Sequence, residues 1–112
     1  MRDIYETDQK KEREKFMAQL FVHHKVADYA QWRKVFDEMD AVRRAMGQTG
    51  VHVYRTAADP NEIVIITDWG TADQARAYGQ LPGLKDAMQR GGVISQPEIL
   101  ILEELKETVP AG

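Results

Sequence analysis

Hydrophobic and polar positions alternate most clearly between residues 51 and 69, where the pattern predicts two β-strands joined by a tight turn. Val51 to Thr56 alternates apolar and polar side chains, and Ile63 to Trp69 is a β-branched run that ends in an aromatic residue. The intervening segment 58–61, Ala-Asp-Pro-Asn, has turn chemistry, because its proline fixes φ and its Asp and Asn side chains bond nearby backbone groups. The pattern therefore predicts a β-hairpin.

The number of loop residues decides which hairpin side chains share a face. With an even number, one face carries His52, Tyr54 and Thr56 beside Ile63, Ile65, Thr67 and Trp69, and the other carries Val51, Val53, Arg55, Val64, Ile66 and Asp68. Neither face is polar throughout, so both need cover. The first face mixes imidazole, phenol, hydroxyl and indole groups. Such a mixture suits a small-molecule pocket and is equally typical of an ordinary mixed core.

The remaining periodicity predicts a strand, a helix, the hairpin, a second helix and a final strand. Residues 17–26 form the first strand, in which the adjacent His23 and His24 point to opposite faces and cannot chelate one metal together. A helix over 29–46 has an apolar stripe at three- and four-residue spacing, with Arg43 among the polar side chains opposite. The stripe consists of Trp32, Val35, Phe36, Met39, Val42 and Met46.

The helix ends carry recognisable capping residues. Asp28 with Gln31, and Thr71 with Gln74, match the capping-box spacing, and Gly47 is placed to end the first helix. The second helix presents Ala72, Ala75, Tyr78 and Leu81, breaks at Leu81-Pro82-Gly83, and continues as a short helix over 84–90. The last strand covers 98–105.

The resulting order βαββαβ predicts an α+β, ferredoxin-like fold, in which both helices lie on one face of a four-stranded antiparallel sheet. The opposite face would expose Val51, Val53, Val64 and Ile66, each worth about 1.5 to 3 kcal/mol on full burial. A contiguous apolar patch usually marks an interface. We therefore expect a homodimer in which two sheets pack face to face.

Composition narrows the function classes. The 112 residues are 43% hydrophobic and 29% charged, with a net charge of −3, which fits one globular domain and argues against nucleic-acid binding. There is no cysteine, so thiol chemistry and thiolate metal sites are excluded. Neither a membrane span nor a secretory signal is recognisable, so we expect a cytoplasmic location. The three histidines are too few and too scattered to indicate a metal site.

Both ends of the chain lack the patterning of the middle. Residues 1–16 hold five acidic and five basic residues, which predicts a flexible extension, and 106–112 form a short tail beyond the domain at 17–105. Met17 opens the patterned region and is a second candidate start for translation.

Several short motifs resemble the dimeric α/β-barrel superfamily, and within it small proteins grouped with antibiotic biosynthesis monooxygenases, often labelled cyclase-like. The likeness covers residues 17–105, and the motifs that carry it are His24-Lys25-Val26, Asp28-Tyr29, Trp32, Val53-Tyr54-Arg55, Asp59-Pro60-Asn61-Glu62, Asp68-Trp69 and Leu84-Lys85-Asp86-Ala87-Met88. The resemblance implies a pocket in each subunit between sheet and helices, distinct from the dimer barrel. Members include cofactor-independent monooxygenases, polyketide cyclases, lactone isomerases and haem-degrading enzymes.

The resemblance also suggests site residues. Trp69 resembles a tryptophan of the haem-degrading branch, but that branch has a histidine ligand about ten residues later, where this chain has Tyr78-Gly79 and no histidine after His52. We therefore expect no haem, and no other cofactor or metal. The expected catalytic residues are His24 and His52, and the expected substrate-binding residues are Tyr54, Trp69, Tyr78, Trp32, Phe36 and Thr67.

Two kinds of function remain open. In the first, an apolar or aromatic small molecule binds beside Trp69, and His24 or His52 acts as a general base for a monooxygenase, a cyclase or an isomerase. In the second, the same pocket holds a metabolite without reaction, or is filled by side chains, in a binding or accessory protein. A cavity near the ~300 Å³ scale of ligand sites favours the first, and a filled interior the second.

Overall fold

The computed structural model of the chain describes residues 18–105, so the predicted extension at 1–16, Met17 and the tail at 106–112 lie outside the described residues. The elements, in chain order, are β1 Ala18–Lys25, α1 Tyr29–Glu38, α2 Asp40–Met46, β2 Gln48–Arg55, β3 Glu62–Trp69, α3 Ala72–Gly79, α4 Pro82–Arg90 and β4 Glu98–Glu103. None of the helices in this range is long and apolar enough to cross a membrane.

The four strands form one antiparallel sheet in the order β2-β3-β1-β4. Helices lie on one face of it, where the alternate side chains Ala18, Leu20 and His24 of β1 and Ile63 and Ile65 of β3 are buried. The predicted α+β, ferredoxin-like arrangement is confirmed.

The helix ends follow the capping residues that the sequence indicates. The Asp28 carboxylate accepts a hydrogen bond from the Gln31 backbone N–H, and Thr71 and Gln74 form the complete reciprocal capping box. The reciprocal bond of a capping box is not formed at Asp28, and the Gln31 side-chain amide donates to the Arg90 carbonyl at 2.9 Å, which ties α1 to the end of α4. Gly47 ends α2 with φ of +120°.

The predicted single helix at 29–46 is divided at Met39, whose N–H is shared between the carbonyls of Val35 and Phe36. Beyond it, Val42 is exposed rather than part of the buried stripe.

The predicted hairpin register is wrong by one residue. Val51, Val53 and Arg55 pair with Thr67, Ile65 and Ile63, so β2 presents these residues to the helices and turns His52 and Tyr54 to the opposite face. The cause lies in the loop. Thr56 donates its N–H to Glu62 O at 3.0 Å, which closes a loop of the five residues 57–61, an odd number.

The loop is held by local bonds and by contacts with α1. Asp59 N–H donates to Thr56 Oγ1, and Asn61 N–H donates to Asp59 Oδ1 at 2.9 Å. The Asn61 side chain then accepts the otherwise free N–H of Tyr29 at the start of α1.

The face of the sheet away from the helices, called the outer face below, is apolar at its centre. It carries Phe21 of β1, Val64 and Ile66 of β3 and Leu100 and Leu102 of β4, with Tyr54 at the β2 edge. Leu100 is 48% exposed and Leu102 is 38% exposed. Val64 and Ile66 lie there as predicted, whereas Val51 and Val53 do not.

Substitution of Gly47 by alanine should destabilise the fold. An added Cβ would meet the Gln74 side chain at 2.5 Å in a backbone conformation with φ of +120°, so we expect a loss of at least about 1 kcal/mol. Gly83→Ala is the matched control, because a Cβ there meets no atom within 4 Å and the residue lies in a helix. Urea unfolding of both variants measures the difference, and equal stability would show that the turn at Gly47 tolerates a side chain.

Candidate functional site

A cavity lies between the helices and the covered face of the sheet, with a volume of about 60 Å³. It is lined by Leu20, Val22, His24, Trp32, Val35, Phe36, Met39, Arg43, Ile65, Thr67, Tyr78, Gly79, Leu84, Ala87, Met88 and Ile99. The interior is therefore neither filled nor as large as the roughly 300 Å³ at which ligand pockets usually begin. Most of the lining is aliphatic or aromatic, and the methionines can change rotamer to enlarge it.

His24 is the imidazole of this cavity. It lies on β1 opposite Ile63, is 3% exposed, and its Nδ1 has no hydrogen-bond partner within residues 18–105. Burial lowers the pKa of His24, with a smaller contribution in the same direction from neighbouring His23 and an opposing one from a backbone hydrogen bond. The ring is therefore neutral at pH 7, the form in which an imidazole accepts a proton.

A row of side chains in ring contact runs from His24 along α1 into α2. The His24 ring meets Trp32 edge-on with centroids 5.9 Å apart, and Trp32 stacks on Phe36 at 4.9 Å. The Arg43 guanidinium carbon lies 3.8 Å from the centroid of Phe36. One side of the cavity is thus an aromatic wall with an imidazole at one end and a cation at the other.

Arg43 is the charged lining residue that the sequence-based expectations do not include. The polar pattern assigns it to the exposed side of the helix, yet it is 2% exposed. The positions 32, 36, 39, 43 and 46 keep the three- and four-residue spacing of the buried stripe, so the spacing itself gave the signal. A charged side chain is rarely buried unless it is paired, and its partner Gln48 belongs to the next strand.

Thr67, Trp69 and Tyr78 form a second buried cluster beside the cavity. Trp69 is fully buried, donates its indole N–H to Thr67 Oγ1 at 2.8 Å, and packs on Tyr78 with centroids 5.4 Å apart. Thr67 and Tyr78 line the cavity, but Trp69 stands behind them. Its role in this geometry is to fix the Thr67 hydroxyl and the Tyr78 ring.

His52 and Tyr54 are not brought to this cavity, because the odd-numbered loop turns them to the outer face. His52 Nε2 lies 2.9 Å from Asp68 Oδ2, and Tyr54 is 54% exposed. Burial raises the pKa of Asp68, but hydrogen bonds from Gln19 and His52 outweigh it and hold that pKa below its usual range. The expectation that His52 and Tyr54 lie in the pocket is therefore wrong.

His23 also lies on the outer face, as its adjacency to His24 requires. Its Nε2 is 2.7 Å from Glu62 Oε2. Of the two adjacent histidines, His24 therefore faces the helices and His23 does not. Within residues 18–105 no group of three or more His, Asp or Glu side chains is arranged to hold a metal ion.

An antiparallel sheet in the order β2-β3-β1-β4, with helices on one face and a cavity between the two layers, defines a small ferredoxin-like α+β domain. The sequence model of the family described as antibiotic biosynthesis monooxygenase matches residues 16–90. The chain belongs to that family. No curated protein sequence matches it.

Solved structures show the same fold at low sequence identity. A candidate antibiotic biosynthesis monooxygenase from Bordetella bronchiseptica has a TM-score of 0.68 and 18% identity, over 81% of this chain and 99% of that one. SnoaB from Streptomyces nogalater, a cofactor-independent oxygenase, has a TM-score of 0.63 and 18% identity, over 86% and 99%. A Nitrosomonas europaea protein of unknown function has a TM-score of 0.62 and 20% identity, over 87% and 97%.

The lowered pKa of His24 makes stability depend on pH in a defined direction. Below the ordinary histidine pKa of about 6.5, the unfolded chain binds a proton at His24 that the folded chain does not, so this contribution to stability is lost as pH falls. The slope is at most about 1.4 kcal/mol per pH unit. Urea unfolding from pH 7 to pH 5 should show a smaller decline for His24→Phe than for the parent, and parallel declines would contradict the buried neutral ring.

Proposed function

We propose that this chain is a cofactor-independent monooxygenase that binds a small aromatic or polyketide-like molecule between the sheet and the helices. The observation that carries the proposal is His24, a buried imidazole on the wall of an aromatic-lined cavity, whose Nδ1 has no hydrogen-bond partner among residues 18–105. An unsatisfied buried polar atom is costly, and such atoms concentrate where a ligand completes the hydrogen bonding.

The chemistry follows from the protonation state of His24. A neutral imidazole takes a proton from a phenol or from a carbon next to a carbonyl, and leaves an electron-rich anion. In oxidation of an anthrone-type methylene, one atom of O2 becomes the new carbonyl oxygen, and the other leaves as water with the two hydrogens of the methylene. The substrate supplies the electrons, so no bound redox group is needed.

The lining side chains suit an aromatic substrate. Trp32 and Phe36 line it with aromatic rings, and Tyr78 and Thr67, which carry hydroxyl groups, line it on the side of α3 and the sheet. Trp69 acts through Thr67 and Tyr78 by fixing their positions. SnoaB, which shares the fold, is a cofactor-independent oxygenase, and this supports the reaction class.

A second function, that of a non-catalytic binding or accessory protein, is favoured by the cavity volume of about 60 Å³. A fused-ring substrate requires rotation of side chains such as Met39 and Met88, whereas a small metabolite does not. A cyclase or isomerase would use the same base and consume no oxygen. Oxygen uptake therefore separates the monooxygenase from the other two possibilities.

The general-base proposal is tested with anthrone as substrate. We expect the parent protein to consume O2 and form anthraquinone, and His24→Gln to lose about 10²-fold or more of the rate, because a glutamine cannot accept the proton. His52→Gln, on the outer face, is the matched control and should keep the parent rate. An oxygen electrode and the anthraquinone absorbance follow the reaction.

Equal rates in the two variants would remove His24 as the base. Absence of anthrone turnover, together with a parent protein that carries no small molecule in native mass spectrometry after isolation from its own host, would favour the accessory function. An adduct without turnover would give the ligand class directly.

We also propose that two copies pack through their outer faces as a homodimer. The support is the apolar centre of that face, which combines Phe21, Val64 and Ile66 with the half-exposed Leu100 and Leu102. Exposed apolar patches of this kind are typical of interfaces, and burying them stabilises by about 25 cal/mol per Å². Polar pairs, His23 with Glu62 and His52 with Asp68, surround it.

Leu100→Glu should convert the dimer to a monomer with little loss of folding, because this side chain is 48% exposed in the single chain. Val42→Glu on α2 makes the same kind of change at a residue that is 37% exposed on the helical side, and should leave the dimer intact. Size-exclusion chromatography with light scattering measures the mass. A parent protein that is monomeric at all concentrations would refute the dimer.

A further inference from the structure

We infer that the cavity takes its ligand as an oxyanion, a carboxylate or a phenolate attached to an aromatic ring, and that Arg43 supplies the opposing positive charge. The inference rests on the proposed function, since it names the class of molecule that the same cavity binds. It adds Arg43 as a residue that determines specificity.

The first support is the charge of the cavity wall. Among the lining residues in the described range 18–105, Arg43 alone carries a formal charge, and none of them is a carboxylate that could balance it. The guanidinium is permanently charged, and a buried charge without compensation is strongly unfavourable. A ligand with a negative oxygen removes that imbalance.

The second support is the incomplete pairing of Arg43 within the protein. Its Nε donates to Gln48 Oε1 at 2.7 Å, and its Nη2 lies 3.6 Å from Asp40 Oδ1, which is a long ion pair. Its Nη1 has no hydrogen-bond partner within the described part of the chain. A guanidinium holds five N–H groups, so a planar oxyanion can bond the unused ones.

The nearby carboxylate does not neutralise Arg43 by itself. Asp40 also accepts a hydrogen bond from Gln48 Nε2 at 3.3 Å and forms a shorter ion pair, 2.9 Å, with Arg44. One carboxylate therefore serves two guanidinium groups, of which Arg44 is exposed to solvent and Arg43 is buried. Asp40 therefore compensates the charge of Arg43 only in part.

The third support is the position of the charge relative to the aromatic wall. The Arg43 guanidinium lies over the Phe36 ring, which stacks on Trp32. A ligand ring that packs against this wall directs an attached oxygen toward one end of the wall. Arg43 provides a positive charge at one end, and His24 provides a neutral proton acceptor at the other. The same arrangement would stabilise the anion that remains after proton removal by His24.

The experiment compares isosteric anionic and neutral probes. Dissociation constants are measured by protein-observed NMR for benzoate against benzamide, and for 4-nitrophenolate against 4-nitroaniline. We expect the parent protein to prefer the anion by about tenfold or more in at least one pair, since a hydrogen bond to a charged group is worth this much. The pair that shows the preference tells whether the oxyanion is a carboxylate or a phenolate.

Variants assign the preference to Arg43. Arg43→Met should abolish it, and Arg43→Lys should restore part of it. Arg76→Met is the matched control, because it removes the same charge from an exposed side chain of α3 that pairs with Asp73, and it should keep the preference. If Arg43→Met does not fold, the ratio of the dissociation constants for the anionic and neutral probes, compared between the parent and Arg43→Lys, still tests the role of Arg43.

Equal binding of anion and neutral isostere by the parent protein would overturn this inference and leave the binding pocket standing. A preference that survives in Arg43→Met would overturn it as well. Binding of none of the four probes would overturn the pocket itself, and with it the proposed function. The two failures are therefore distinguishable.

Discussion

The helices cover one face of the sheet, and every strand must divide its side chains between that covered face and the outer one. On β1 this sends His24 inward and His23 outward, although the two are adjacent in sequence. On β3 it sends Ile63, Ile65, Thr67 and Trp69 inward and leaves Val64 and Ile66 outside. Both the cavity and the apolar outer face follow from this single constraint. Every second side chain of a strand points toward the cavity, and the side chains between them form the outer face.

The covered face encloses two polar groups that a purely structural core would not need. His24 and Arg43 are both nearly inaccessible, and each has a nitrogen without a hydrogen-bond partner within residues 18–105. Burial of such groups costs free energy that an aliphatic residue would not cost. Aromatic contacts with Trp32 and Phe36 offset part of this cost for both. Polar groups held in an otherwise apolar cavity make it the candidate site for binding a ligand.

The outer face has a different composition and a different role. Its apolar centre is bordered by two histidine–carboxylate pairs, His23 with Glu62 and His52 with Asp68, which are hydrogen-bonded within the single chain. Such a border resembles the polar rim of a protein interface around an apolar core. The histidines that the fold keeps out of the cavity thus belong to the surface through which two copies are proposed to meet.

The sequence by itself determined the order of the elements, their class and most of their ends, because periodicity and capping are local: Asp28, Gly47 and Thr71 act on backbone groups within a turn of themselves. It also gave the candidates His24, Trp32, Phe36, Thr67 and Tyr78, all of which line the cavity. Only the tertiary structure decided the rest. The faces of His52 and Tyr54 depend on the parity of a loop that Thr56, Asp59 and contacts with α1 hold at five residues. Position 43 keeps the helical spacing of the buried stripe, but the polar partner of the buried Arg43, Gln48, comes from the following strand and is not part of that pattern.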